Sequence, residues 1–348
     1  MRLRARLAVP PLLGAVLAAA MAAAPASAGT VPFGAHPASA PRANVLAAAA
    51  LPASAPRATA LPATALPATA LASSGPAAAP AGVHALGADL ADVGTSQQLW
   101  GRDAGTKRPM GSVTKVMTAL VVIQAGNLGR RISVPASAVS YVDSHGASSA
   151  GLHAGDVLTA RQLLVAMLLP SGCDAAYVLA TAYGPGRAAF VAKMNAEAGQ
   201  LGLAKTHFAN FDGLPYPTPR ATYSTPADLI ALGRAAMAQG AFRTTVDRRS
   251  YHLAGRNGHH AYTWQNTNLL LGSYAGADGI KTGFTLAAGY CLLFEAHSGT
   301  SALIGVVLHS TATKPGDRFT DARKMLNWGF SMLAASDALT GRLGSFDP

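Results

Sequence analysis

Three short stretches carry residue types suited to nucleophilic chemistry. The first is Ser112-Val113-Thr114-Lys115, at the start of the apolar run Val116 to Ile123. If that run is a helix, Ser112 and Lys115 lie on one face, a turn apart. The hydroxyl then sits at a helix N-terminus, where the backbone dipole favours negative charge, and the amine can take its proton. The run has almost no other polar group, so the helix is expected to be buried, and burial disfavours a charged ammonium. The second stretch is Ser171-Gly172-Cys173-Asp174, in a loop after Leu168-Leu169-Pro170. Its hydroxyl could relay a proton to a leaving nitrogen. The third is Lys281-Thr282-Gly283, on a strand expected to begin at Gly279. There Lys281 and Thr282 would bind a carboxylate, and Gly283 would let a substrate backbone lie along the strand edge. Taken singly, each has a plain alternative: a capping Ser with a surface Lys, a loop Ser beside a capping Asp, a common turn.

The elements that must position these residues can be read from caps and periodicity. Gly87 to Asp92 and Gln97 to Trp100 flank Gly94 and suggest a β-hairpin. The Ser112 helix follows. Thr159 is read as the cap of Ala160 to Leu169, and Asp174 as the cap of Ala175 to Tyr183; Ala188 to Gly199 is a further helix. Thr225 as N-cap, Pro226 at the first helical position and Asp228 in the first turn start another. Beyond Gly240, strands are expected at Arg249 to Leu253, Gly279 to Phe284, Tyr290 to Ala296 and Ser301 to Ser310. A terminal helix then presents Leu326, Phe330 and Leu333 on one face. Strands at both ends with helices between them predict an α+β domain: one sheet built from both termini, with a helical lobe inserted at about 125–245.

The ends of the 348-residue chain read differently. Arg2, Arg4 and Arg6 precede the apolar stretch Leu7 to Ala24, and Ala26-Ser27-Ala28 offers a small-residue cleavage site. Residues 1–28 are therefore expected to be a secretory signal. If it were not cleaved, it would be the chain's one contact with a membrane. Residues 29–82 are dominated by Ala, Pro, Thr and Ser, with Ala-Leu-Pro-Ala-Thr twice in succession, and read as an extended tether. The folded domain is placed at 83–342, in a secreted, wall-associated protein. The formal charge of +11 falls by the three signal arginines to +8. No dense basic run or basic-aromatic motif points to nucleic acid, although a basic secreted protein is drawn to anionic wall polymers. Two cysteines in a chain this long, Cys173 and Cys291, are expected to be free thiols.

The three stretches occur in the order Ser-x-x-Lys, Ser-Gly-x and Lys-Thr-Gly, spaced by 59 and 110 residues. Order, spacing and placement resemble the penicillin-interacting serine enzymes. Leu99-Trp100 through Ser112, His207-Phe208-Ala209-Asn210, Gly213-Leu214, Tyr223-Ser224-Thr225, Asn266-Thr267-Asn268 and Gly279 to Gly283 are similar to the D-alanyl-D-alanine carboxypeptidases among the low-molecular-mass penicillin-binding proteins. The resemblance covers about Val83 to Leu333. It implies a five-stranded antiparallel sheet flanked by helices, an all-helical subdomain, and a cleft between them. It implies a hydrolase acting on the D-Ala-D-Ala end of peptidoglycan stem peptides through an acyl-enzyme, blocked covalently by β-lactams, with no metal or other cofactor. In that scheme Ser112 is the nucleophile and Lys115 its base. Ser171 and Lys281 assist the leaving amine. Lys281 and Thr282 hold the carboxylate, and the N–H groups of Ser112 and Phe284 form the oxyanion hole. Cys173, by motif position, faces the acyl group and would be the thiol a reagent reaches first.

Two positions depart from the family pattern. The second motif usually ends in Asn, which offers an acceptor and two donors, where Cys173 offers weak ones. A branch of DD-transpeptidases shares Ser-Gly-Cys, which makes transfer to an amine the alternative to hydrolysis. Thr267 stands where some members have an Arg for the substrate carboxylate. A class A β-lactamase would need a Glu in a Glu-x-x-Leu-Asn loop, and the two Glu of this chain, Glu197 and Glu295, are in neither such loop. A non-catalytic wall-binding or penicillin-sensing module would be expected to lack the nucleophile or its base, and both are present.

Overall fold

A computed structural model describes residues 78–343. The expected signal and the tether through residue 77 lie outside the described residues. The last tether residues are docked: Ala78 accepts a hydrogen bond from Trp328 Nε1 and Gly82 from Lys324 Nζ.

In chain order the elements are β1 (Gly87–Asp92), β2 (Gln98–Arg102), a 3-10 turn (Gly111–Thr114), α1 (Lys115–Gln124), β3 (Arg131–Ser133), α2 (Ala136–His145), β4 (Val157–Thr159), α3 (Ala160–Leu168), α4 (Cys173–Tyr183) and α5 (Arg187–Gln200). There follow α6 (Pro226–Met237), α7 (Gly240–Val246), β5 (Ser250–Leu253), β6 (Tyr262–Gln265), β7 (Ala277–Thr285), β8 (Gly289–Ser298), β9 (Ser301–Leu308) and α8 (Asp317–Leu343). The main sheet is antiparallel, in the order β2-β1-β9-β8-β7. Both chain ends build it, because β1 pairs with β9 from Gly87↔Leu308 to Asp92↔Leu303.

Alternation along β8 and β9 sorts side chains to two cores. Leu292, Phe294, Leu303 and Val307 meet Phe319, Met325 and Leu326 of α8. Cys291, Leu293, Ile304 and Val306 face the other way, into the core that holds α1 and α6. Both faces of the central strands are covered, so these strands read as apolar runs. Helix α1 is buried on all sides, with Val116, Met117, Ala119, Leu120 and Val122 all in the core, as an apolar helix at the centre of a large domain should be.

The lobe departs from the expected all-helical form. A two-stranded ribbon, β3 with β4, lies within it, and the β5–β6 hairpin packs against it through Tyr262 and Trp264. Helix α6 lies against β1 and β9 of the main sheet, which leaves α2 to α5 as the lobe proper. Asp174 is not the cap of α4; Gly172 holds that position. The Asp174 carboxylate instead accepts from Ser149 Oγ and from the N–H groups of Ala150, Leu152 and Ala175, which ties the 149–152 loop to α4. Thr159 with Gln162 forms a complete capping box, and Thr225 caps α6 through the Asp228 N–H.

Candidate active site

The 3-10 turn carrying Ser112 is lodged between β7 and the Gly213 loop, and one glycine on each side permits the approach. A Cβ on Gly283 would lie 2.3 Å from the Met110 carbonyl oxygen and 3.1 Å from Val113 Cγ2. A Cβ on Gly213 would lie 2.0 Å from the Gly111 carbonyl oxygen. Gly283 therefore lines the cleft, but the space left by its missing side chain is taken by the nucleophile's own turn. β7 remains an edge strand of the main sheet, where a substrate backbone is expected to lie.

Lys115 opens α1 and is fully buried. Its Nζ lies 2.9 Å from Ser112 Oγ, 3.2 Å from Cys173 Sγ, 3.3 Å from the Asp212 carbonyl oxygen and 3.5 Å from Ser171 Oγ. The first two motifs thus meet at one amine. Asp212 is held in turn by Tyr141, whose hydroxyl donates to its Oδ2 at 2.8 Å, and by the Leu214 N–H on Oδ1. Burial, followed by the Asp212 carboxylate, pushes the Tyr141 phenol well above its ordinary range, so Tyr141 remains a donor. Ser171 has a left-handed backbone, φ +69°, uncommon for a residue with a side chain. Its carbonyl accepts from Ser148 Oγ at 2.6 Å, which fixes that turn.

Cys173 lies behind Lys115 rather than on the cleft surface, at 1% exposure. Burial raises its thiol pKa, against the opposing pull of Lys115. The expected open, reactive position is therefore not what the fold provides: Cys173 is the first residue of α4 and points inward. Cys291 is buried as well, and both are free. Lys281 is 1% exposed and donates to Thr282 O at 3.1 Å and Thr282 Oγ1 at 3.4 Å. Burial first, then Lys115 and Arg318, lower its pKa well below the usual lysine value. Thr282 Oγ1 in turn lies 2.7 Å from Thr267 Oγ1, so two hydroxyls stand side by side on the cleft wall.

The cleft, about 510 Å³, is lined by Ser112, Ser171, Thr267, Thr282 and Gly283, with His145, Leu214, Phe284 and Leu286 toward its rim. Phe284 is 40% exposed and Leu286 87%, and both flank the opening. The Phe284 backbone nitrogen lies against Gly111, 2.7 Å from where a Cβ there would be, and so beside the nucleophile's turn. Several lining residues carried no motif, His145, Ser148 and Arg318 among them. Arg318, at the start of α8, stacks over Tyr290 at 5.1 Å and donates to the Gly283 carbonyl at 3.3 Å. Its Nε is buried without a hydrogen-bond partner. No motif marked it; its one signal was a basic residue in the first turn of a helix, where the macrodipole disfavours a cation.

Among the described residues no group of three or more His, Cys, Asp or Glu is placed to hold a metal ion. No described helix is long and apolar enough to cross a membrane. The lining combines a hydroxyl nucleophile bonded to a buried amine, a second hydroxyl, and a single guanidinium across the cleft. Such a set can transfer the acyl group of a substrate that ends in a carboxylate.

Comparison with known proteins agrees with this chemistry. The D-alanyl-D-alanine carboxypeptidase family model, Peptidase_S11, matches residues 74–312. A D-alanyl-D-alanine carboxypeptidase of Streptomyces sp. (strain K15) is 42% identical over 262 residues, 72% of this chain and 88% of that protein. DacB2, a D-alanyl-D-alanine carboxypeptidase of Mycobacterium tuberculosis, is 34% identical over 70% of this chain and 81% of its own. The crystal structure of the Streptomyces K15 DD-transpeptidase superposes with a TM-score of 0.68 at 42% identity, covering 72% of this chain and 98% of that one. Solved variants of that transpeptidase replace a serine and a cysteine two positions apart, the spacing of Ser171 and Cys173.

Proposed function

Because the chain belongs to the Peptidase_S11 family of D-alanyl-D-alanine carboxypeptidases, we propose that it acts on D-Ala-D-Ala stem peptides of peptidoglycan through an acyl-enzyme on Ser112. The observation that carries the assignment of the nucleophile is the 2.9 Å contact between Lys115 Nζ and Ser112 Oγ in a buried pocket. The Lys115 amine takes the Ser112 proton as Oγ attacks the carbonyl of the penultimate D-Ala. Ser171, 3.5 Å from Lys115 Nζ, relays that proton to the departing amine of the terminal D-Ala. The N–H groups of Ser112 and Phe284 face the developing oxyanion; one such donor is typically worth roughly 2.7–4 kcal/mol in the transition state.

The substrate carboxylate meets Thr282 and Thr267 hydroxyls, backed by Arg318. Lys281 sits behind Thr282 and acts through it. Arg318 supplies the cation that Thr267 cannot. The cleft binds β-lactams as it binds the acyl donor, and Ser112 Oγ is the atom acylated.

Transfer to an amine is a second outcome of the same acyl-enzyme. What favours it is the Ser-x-Cys spacing of Ser171 and Cys173, shared with the Streptomyces transpeptidase. The protein is placed outside the cytoplasm, in contact with the wall, on the strength of the Arg-led apolar N-terminus and its Ala-Ser-Ala site. A fluorescent penicillin should label the protein once per chain, and Ser112→Ala should abolish the label. A labelled alanine variant would remove Ser112 from the mechanism. Incubation with a diacyl-Lys-D-Ala-D-Ala peptide, with and without an added amine acceptor, then separates hydrolysis from transfer.

A further inference from the structure

Away from the cleft, the β3–β4 ribbon and the β5–β6 hairpin enclose a groove of about 480 Å³. Arg131, His252, Arg256 and His259 line it, and no carboxylate does. A smaller groove of about 230 Å³ shares Thr159, Gln162 and Tyr251 with it and adds Arg161 and Arg248. A third concavity continues past Arg256 and His259, and its one acid, Asp156, is already bonded by Tyr262 and His260. Among the described residues, none of Arg131, Arg161, Arg248 and Arg256 is in an ion pair. Four guanidiniums outside any ion pair thus lie across adjoining grooves that share lining residues, Arg131 and Arg256 in the larger and Arg161 and Arg248 in the smaller, with Arg248 stacked over Tyr251 at 5.5 Å and donating through Nε to Thr244 O.

The geometry points to an anion-polymer site, and we propose that this groove binds a phosphodiester-linked polymer of the wall. Guanidinium forks match phosphate oxygens bidentately, and the grooves together offer several such forks along one path. The alternative of an anionic membrane surface fits less well. The exposed large apolar residues of the described chain are Leu86, Tyr216, Leu269, Phe284 and Leu286, and none lines these grooves, so nothing there would insert among lipid tails. The site also has a defined relation to the chemistry. Strand β6 forms one side of the hairpin, and two residues past its end Thr267 enters the cleft wall, its N–H bonded to Leu169 O at 3.1 Å. A polymer held in the groove would therefore anchor the enzyme beside the glycan strands whose peptides it processes.

The test is binding of purified poly(glycerol phosphate) to the whole protein, titrated with salt, against the variant R131Q/R161Q/R248Q/R256Q. The wild type should bind with an affinity that falls steeply as salt rises, by release of condensed counterions. The quadruple variant should bind at least tenfold more weakly while its rate of acylation by penicillin is unchanged. A smaller loss of binding would overturn the proposal. So would equal wild-type affinity for hyaluronate, a carboxylate polymer, or for phosphatidylglycerol vesicles. Should the quadruple variant misfold, phenylglyoxal modification of the wild type decides. The polymer should protect Arg131 and Arg256 in mapped peptides, and equal modification with and without polymer sinks the idea.

Discussion

Gly283→Ala puts one methyl group into the junction between β7 and the nucleophile's turn. The added carbon would sit 2.3 Å from Met110 O, 3.1 Å from Val113 Cγ2 and 3.2 Å from Val113 N. Two of those three atoms are backbone, so no rotamer change relieves the overlap. The turn must retreat from the strand by about 1 Å to reach ordinary contact, and a shift of that size in a reacting group can cost on the order of 100-fold in rate. Overpacking also costs about 1–3 kcal/mol of stability, which for a domain of this size lowers Tm by roughly 2–4 °C per kcal/mol. Gly305→Ala is the matched control. Its Cβ would lie equally close, 2.3 Å, to Phe294 Cζ, but on the face of the sheet covered by α8 and remote from Ser112. Both variants should lose stability, and only Gly283→Ala should lose penicillin acylation, read by stopped-flow with a fluorescent penicillin. If Gly283→Ala acylates at the wild-type rate, or Gly305→Ala slows as much, the junction does not set the position of the nucleophile.

Other expectations follow from the same geometry. Lys115→Arg keeps a cation but not a proton acceptor near neutrality, so acylation should collapse by at least 100-fold; a milder loss would mean that Lys115 serves as a charge and not as the base. Native protein should resist maleimide at both cysteines and take two labels after denaturation. Rapid native labelling of Cys173, slowed by penicillin, would return that thiol to the cleft surface. Glu295, half-buried in β8, is pushed up to about 7 by burial and then by Asp278. A raised carboxylate pKa means that the native state holds the proton more tightly than the unfolded chain. Its contribution to stability is therefore full at low pH and is lost as pH rises from the ordinary carboxylate range through about 7. Glu295→Gln should leave the urea stability unchanged at about pH 4 and raise it by about 1 kcal/mol at about pH 8, after allowance for solvent screening. A gain of equal size at both pH values would show that the effect is packing and not ionisation.

How far the sequence could be read depended on whether a residue's role was local. Thr159 with Gln162, and Thr225 with Pro226 and Asp228, mark helix starts because a cap is satisfied within three residues. Strands β7 to β9 were legible because their apolar runs are bounded by turn glycines. Helix α2, Ala136–His145, and the short strands β3, β4 and β6 were missed, since their small or polar residues pack through partners far along the chain. The same division held in the cleft. Ser112 and Lys115 sit one turn apart and declare themselves. Cys173 could be placed at the right motif position but not at the right depth, because depth depends on how α4 seats against α1. Arg318 comes from a helix 206 residues after Ser112 and reaches the cleft only once that helix has covered the sheet. Asp174 looked like a cap because its neighbours suit one. Its partners in the 149–152 loop are more than twenty residues away.

The sheet that takes strands from both ends of the chain also fixes a timetable. Strand β1 finds no permanent neighbour on its β9 side until Leu308 exists, and the N–H groups of His84 and Ala85 wait for Asp321, 236 residues further on at Ala85. Contacts of that separation close late and slowly. A ribosome must deliver nearly the whole domain before the first strand can settle, and the nucleophile's turn, lodged against β7, cannot be assembled earlier. Shortening the chain before α8 should therefore not yield a smaller enzyme with a trimmed surface. It should yield a chain whose first strand has been kept waiting for a partner that never arrives.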